Sequence, residues 1–183
     1  MASHYTASDA ANHAVRAFLT KVGEHYLARG FNTGSGWGLQ KWEEIRDVRF
    51  NRTCCYCGET KTQLTKEHLI SMSREEYGLH HPGNIAPSCS ACNLRKSVDG
   101  VYPDWKAHLR AICSSRGEQK EYEARYQRLQ EHIKREQYPD LSKEARQAIR
   151  VIADTLYSNT RQELERSTNL YRELDEAFVS IAA

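Results

Sequence analysis

Four of the six cysteines fall in two matched pairs. Cys54 and Cys57 are two residues apart, as are Cys89 and Cys92, and 31 residues separate the pairs. Zn²⁺ takes four soft ligands in a tetrahedron, and two Cys-x-x-Cys knuckles supply them. Gly58 follows Cys57, where a knuckle turn brings backbone close to sulfur. The spacing therefore predicts a structural zinc held by Cys54, Cys57, Cys89 and Cys92. Cys55 is an alternative to Cys54, although the Cys-x-Cys spacing it would use is less favourable. Cys113, beside Ile112 in a helical stretch, reads as an ordinary small buried residue. Four thiolates close the zinc coordination shell, so this ion activates no water and any catalysis needs another centre.

Flanking elements must bring the two pairs together. Ser8 to Arg29 reads as an amphipathic helix, with Val15, Phe18, Leu19, Val22 and Tyr26 on one face, Ser8 or Asp9 as cap and Gly30 past its end. Residues 31–38 are a Gly-rich connector without the Lys-Ser/Thr ending of a phosphate-binding loop. A shorter helix spans about Leu39 to Val48, with Trp42 and Ile45 on one face and Val48 or Arg49 a turn further on. After the cysteine region, Trp105, Leu109 and Ile112 mark one helix, broken at Gly117. Tyr122, Tyr126, Leu129 and Ile133 mark the next, ended by Pro139. Ser142 opens a last helical stretch reaching Phe178, with polar Ser158-Asn159-Thr160 as a candidate break. An α-hairpin packed on the core and a dimerising coiled coil both suit it.

Composition narrows the function classes. The chain has 183 residues, 39% hydrophobic and 27% charged, with a net charge of +2. No apolar run approaches the ~18–20 residues of a membrane span, and the N-terminus lacks a basic-then-apolar leader pattern. A cytoplasmic protein without a membrane role is expected. Lys and Arg outnumber Asp and Glu by 15 to 11 over residues 1–116, and trail by 11 to 13 thereafter. The positive excess thus lies with the cysteines. The expected divisions are residues 1–38 (N-terminal helix and connector), 39–116 (zinc-bearing core) and 117–183 (C-terminal helical region).

Between the cysteine pairs, Leu64, Lys66, His68 and Ile70 alternate with Thr65, Glu67 and Leu69, as on a strand. The Glu67-His68 step, Asn84-Ile85, and Cys92-Asn93 with Lys96 three residues on follow in order inside the zinc frame. This arrangement, from about Trp42 to Leu109, resembles the HNH endonucleases, the ββα-metal nucleases. The resemblance implies an α+β, mostly helical fold: a small zinc-stabilised ββα core between N- and C-terminal helices. The second strand is expected near Asn84 to Pro87, and the signature helix is expected to begin near Ala91 to Asn93.

The resemblance also implies roles. His68 matches the general base, Glu67 and Asn93 the ligands of a catalytic divalent metal, Mg²⁺ or Mn²⁺, and Asn84 the asparagine that holds the inter-strand loop and helps orient the histidine. Lys96 matches a basic residue near the phosphate. The chemistry is consistent, because an imidazole can accept a proton near neutral pH and a hard ion takes oxygen ligands. Many members carry Asp or His where this chain has Glu67. The added methylene could move the metal by about an ångström, and misplacement on that scale can cost ~10²-fold in rate. Arg46, Arg49, Arg52, Arg74, Arg95 and Lys96 are candidate phosphate contacts. Sequence alone leaves His80 and His81 as loop residues and assigns nothing to His4, His13, His25, His108 or His132. The expected function is DNA phosphodiester hydrolysis, in restriction, phage (antiviral) defence or mobile-element biology. The C-terminal helices are candidates for a homodimer or partner-protein contact. The alternative is an inactive zinc-stabilised nucleic-acid-binding or adaptor module.

Overall fold

The computed structural model describes residues 5–96 and 102–182, with side chains as far as 178. His4 and residues 97–101 of the expected nuclease region lie outside the described residues. Along the chain run α1 (Ala7–Leu27), α2 (Gly36–Glu43), β1 (Thr65–His68), β2 (Ile85–Ser88), α3 (Trp105–Ser115), α4 (Tyr122–Arg135) and α5 (Lys143–Ala182). The class is α+β and mostly helical, as expected.

α1 starts and stops earlier than the caps suggested by sequence. The Thr6 hydroxyl accepts from the Asp9 N–H at 3.2 Å, and the Asp9 carboxylate takes the Thr6 N–H at 2.8 Å. This reciprocal capping box places the cap at Thr6, with Asp9 as its third-residue partner. The helix ends at Ala28 in a left-handed conformation (φ 56°), two residues before Gly30.

α2 begins inside the Gly-rich stretch, because Ser35 takes the extended conformation of a helix-entry residue. It runs on as a π-helical segment, Glu44–Arg49. There the Phe50 N–H reaches the Ile45 carbonyl at 3.0 Å, an i to i+5 bond. The wider winding turns Phe50 into the core and leaves Val48 68% exposed. Trp42 and Ile45 are buried as expected, and Phe50 supplies the third apolar anchor.

β1 and β2 pair antiparallel, with Glu67 opposite Ala86 and His68 opposite Ile85. The second strand falls where expected. The helix expected to begin near Ala91 to Asn93 does not start there. The N–H groups of Cys92 and Asn93 both bond to the Cys89 carbonyl, at 3.0 and 2.9 Å, closing a tight knuckle turn, and residues 94–96 run irregularly. The next helix is α3, where the Asp104 side chain accepts from the Ala107 N–H at 2.8 Å.

The main core surrounds the cysteines with Phe31, Trp42, Ile45, Phe50, Tyr56, Leu69, Ile85, Trp105, Leu109 and Leu129. α4 clamps this core: Arg125 donates to the Tyr56 carbonyl at 3.1 Å, and His132 Nε2 donates to the Ile85 carbonyl at 2.9 Å. Gly117 takes φ +70° between α3 and α4, and the Ser142 hydroxyl caps α5 by accepting from the Ala145 N–H at 3.1 Å. α5 is continuous through Ser158–Thr160 and, at ~1.5 Å per residue, is about 60 Å long.

A second cluster joins Val15 and Leu19 of α1 to Leu79 and to Ile149 and Ala153 of α5. Gly23 lies at the closest approach of α1 to the loop between the strands, where an added Cβ would overlap the His80 carbonyl. Among the described residues, no helix is long and apolar enough to cross a membrane.

The loop between the strands carries buried neutral imidazoles. His81 Nδ1 accepts from the Gly83 N–H at 3.1 Å, and burial pushes its pKa from the ordinary 6.5 down to about 4. Burial also pushes His132 down, against its bonds to the Ile85 and Pro82 carbonyls. As pH falls the unfolded chain takes up these protons first, so their stabilisation is complete above pH 6.5 and declines below it, that of His81 being lost toward pH 4. His81 alone is worth up to about 3 kcal/mol over that window. Denaturant midpoints measured from pH 7 to pH 4 should fall steadily, and a flat profile would contradict the neutral imidazoles.

Candidate active site

The sulfur atoms of Cys54, Cys57, Cys89 and Cys92 lie within 4.8 Å of one another, and Cys57 Sγ is 4.0 Å from Cys89 Sγ. Zinc–thiolate bonds of ~2.3 Å in a tetrahedron set sulfurs about 3.8 Å apart, so the donor set and its size fit zinc. Cys55 is buried outside this cluster, and burial pushes its thiol well up. Hydrogen bonding from Cys55 and Cys92 holds the Cys54 thiol far below its ordinary range. Burial and that neighbouring charge push Cys57 up to about 11. A dication supplies the positive charge that four clustered thiolates require.

β1 presents its functional residues to two sides. Glu67 points inward and is 5% exposed. Its Oε1 takes three donors: Tyr56 OH at 2.9 Å, Arg95 Nη2 at 2.7 Å and Arg95 Nε at 3.1 Å. Burial pushes the Glu67 carboxyl up, against the pull of Arg95. The buried side-chain atoms without a hydrogen bond, among the described residues, are Arg95 Nη1, Glu118 Oε2 and His132 Nδ1, the first two of which lie in ion pairs with Glu76 and Arg125. Glu67 Oε2 has no hydrogen bond among the described residues, and Glu67 lines a cavity.

His68 emerges on the opposite side of β1. Its Nε2 is 3.0 Å from His80 Nδ1, and His68 lines the same cavity. Burial, then the neighbouring His80, Arg16 and Arg95, push its pKa down to about 3, so the ring is neutral at neutral pH. Asn84 staples the loop beside it. Its Oδ1 accepts from the Ile70 N–H at 2.7 Å, and its Nδ2 donates to the Ile70 and Leu79 carbonyls at 2.8 and 2.9 Å. Asn93 Nδ2 donates to Thr65 Oγ1 at 2.8 Å, while that hydroxyl donates to the Ser88 carbonyl. The bond fixes the Asn93 amide and leaves Oδ1 as the free acceptor.

Glu67, His68, Asn93 and Arg95 thus share one cavity of about 770 Å³, with Arg16, Lys66, Glu75 and Glu76 also on its wall. The basic residues that sequence proposed as phosphate contacts are engaged in the fold or lie elsewhere. Arg95 is spent beneath the cavity on Glu67 and on the carbonyls of His68 and Leu69, with its side chain only 9% exposed. The Arg74 guanidinium lies 3.6 Å from the Tyr157 ring centre, turned toward α5, and Lys96 is exposed away from the cavity wall.

Two cavity cations were not signalled as substrate contacts. Among the described residues Arg16 and Lys66 have no carboxylate partner. Lys66 could have been found from strand alternation, because it shares the His68 side of β1. Arg16 had no local signal, since only the packing of α1 brings it to the hairpin.

Residues 54–99 match the family model described as HNH endonuclease. The match spans both cysteine pairs, Glu67-His68, Asn84 and Asn93, so it covers the cysteine cluster and most of the candidate site. No curated protein and no solved structure matches the chain.

Replacing Cys89 by Ser should release bound zinc and lower the melting temperature, because binding of the ion is coupled to folding. Metal content by atomic spectroscopy and a thermal melt check this. Unchanged zinc and unchanged melting would remove the structural role.

Proposed function

We propose that this protein is a divalent-metal-dependent endonuclease that hydrolyses DNA phosphodiester bonds with His68 as general base. The observation that carries the reading is the convergence on one cavity of a neutral imidazole, a carboxylate with one oxygen free of hydrogen bonds, an oriented amide oxygen and unpaired cations. Phosphodiester hydrolysis requires a nucleophile stripped of its proton, charge neutralisation around phosphorus and a stabilised leaving oxygen.

His68 accepts the proton of the attacking water. Arg16 and Lys66 receive the non-bridging phosphate oxygens. Glu67 Oε2 and Asn93 Oδ1 would hold Mg²⁺ or Mn²⁺, a hard ion matched to oxygen donors. That ion would supply charge neutralisation at the scissile phosphate and at the leaving oxygen. Arg95 opposes the effect of burial on the Glu67 carboxyl and fixes it from behind, so the ligand oxygen needs little reorganisation.

One such centre cuts one strand, and a double-strand break needs a second. The outer half of α5 leaves Leu164, Leu170, Tyr171, Leu174 and Phe178 exposed, a surface that supports docking of a second copy or a partner. Restriction or phage defence is the setting that the family resemblance suggests.

Plasmid nicking with Mg²⁺ or Mn²⁺ should fall by roughly 10²–10⁴-fold in His68→Ala, with duplex binding retained. Equal cleavage by both proteins, or none by wild type on DNA or RNA with any metal, rejects the reading and leaves a zinc-held binding module. Arg16→Ala should weaken duplex binding similarly across sequences and reduce the slope of log affinity against log salt by about 1. Fluorescence anisotropy over a salt series measures this, and an unchanged slope would remove Arg16 from the phosphate path.

A further inference from the structure

We propose that the outer half of α5 is a self-association surface, on which a second copy of this chain lies antiparallel. The proposal is independent of the nuclease reading. It starts from side chains that packing within one chain leaves exposed. Leu164, Leu170, Tyr171, Leu174 and Phe178 all face solvent, Tyr171 at 68% and Phe178 at 66% exposure. They belong to one continuous helix, Lys143–Ala182.

Their spacing is that of a coiled-coil seam. Leu164, Tyr171 and Phe178 recur every seven residues, and Leu174 follows Tyr171 by three. With the first three at heptad position a, position d holds Thr160, Ser167 and Leu174, and Leu170 falls at g beside them. α1 leaves most of this seam uncovered. The start of α1 shares a cavity with Leu164, Glu165, Thr168, Asn169 and Arg172 of α5, of which Leu164 alone lies on the seam.

Size and charge decide the orientation. In a parallel pair each core position meets itself, so Tyr171 faces Tyr171, Phe178 faces Phe178 and Ser167 faces Ser167. Large residues crowd and small ones leave space. At the seam edges Glu163 meets Thr168 and Leu170 meets Asp175, with no opposite charges.

An antiparallel pair centred near Asn169 sets a positions against d positions. Leu164 meets the second copy's Leu174, Tyr171 its Ser167 and Phe178 its Thr160, while Leu170 meets Leu170 near the two-fold axis. Tyr171 and Phe178 thus fall opposite small residues, as interdigitating layers require. Arg161 faces the second copy's Asp175, and one row further out Glu165 faces Arg172 and Arg166 faces Glu173. The two-fold axis repeats each of these contacts. Arg161 and Arg166 already pair with Glu165 and Glu163 along the helix, at 2.9 and 3.0 Å, yet both stay at least half exposed. A guanidinium has five N–H donors to share between such partners.

The position of the seam sets the shape of the pair. Ala153 is the last buried residue of α5 among those described. From there to Asn169 and out along the second copy, ~1.5 Å per residue places the two cores about 50 Å apart. The two candidate active sites then lie at opposite ends of a shared rod.

The test uses the zinc-loaded full chain. Sedimentation velocity at micromolar concentration should give twice the chain mass. Leu174→Asp puts two charges into the seam and should weaken association about 10²–10⁴-fold. Cross-linking reads the orientation, because the six native cysteines are buried. Under mild oxidation, Leu164→Cys mixed with Leu174→Cys should form an intermolecular disulfide. Neither variant should do so alone, since its own two copies lie about 15 Å apart along the rod, beyond disulfide reach.

A monomeric wild type overturns the proposal without any variant and leaves the seam to a different protein. Self-linking of Leu174→Cys, the mark of a parallel pair, also overturns it, as does unchanged association in Leu174→Asp. Circular dichroism checks that α5 persists in each variant. Should Leu174→Asp not fold, the wild-type mass and the cross-links decide. Absence of nicking by wild type rejects the nuclease reading and leaves this one standing.

Discussion

Four sulfurs packed within a few ångströms repel one another once ionised, and only a cation makes their cluster favourable. The rest of the molecule is arranged around that constraint. Cys89 follows directly after β2, while Cys54 and Cys57 follow the π-helical segment. Closing the metal shell therefore fixes the hairpin against α2 and its π-helical extension. A two-stranded sheet of four-residue strands is marginal by itself. The thiolate frame, the apolar shell of Trp42, Ile45, Phe50, Trp105 and Leu109, and the clamp from α4 make it rigid enough to carry chemistry.

The polar groups around the hairpin divide into those that hold and those left open. Asn84 uses both ends of its amide on the loop backbone, and Arg95 ties Glu67 to the carbonyls after it. Burying the Glu67–Arg95 pair carries a desolvation cost that its Coulomb attraction and hydrogen bonds offset. In return, each functional side chain keeps one atom unengaged: Oε2 of Glu67, Oδ1 of Asn93 and Nδ1 of His68. Such a half-used hydrogen-bonding inventory suits a centre that must accept a ligand without rearranging.

α1 and the start of α5 pack together over the loop between the strands, through Val15, Leu19, Leu79, Ile149 and Ala153. This packing brings Arg16 to the cavity and holds the His80 backbone beneath Gly23. Helices outside the family match thus complete the cavity rather than merely flank it. The outer part of α5 runs beyond this support with its apolar side chains exposed.

The four-cysteine cluster, the strand carrying Glu67 and His68, the Trp105–Ser115 helix and the helix that Ser142 opens were legible because their determinants are local: cysteine spacing, two-residue alternation, apolar periodicity, a capping side chain. The π-helical turn that exchanges Val48 for Phe50, and the knuckle that replaces a helix after Cys89, were not. In both, burial and backbone hydrogen bonding at a packed junction override the local period. Arg16 and His68 are 52 positions apart, and Arg95 is 26 to 28 positions from the groups it bonds. Sequence by itself determined which chemical groups were available and which face of each short element they share. Only the tertiary structure decided which atoms of those groups are consumed in holding the fold and which remain free, because pairing across a packed interior depends on distances that no local pattern encodes.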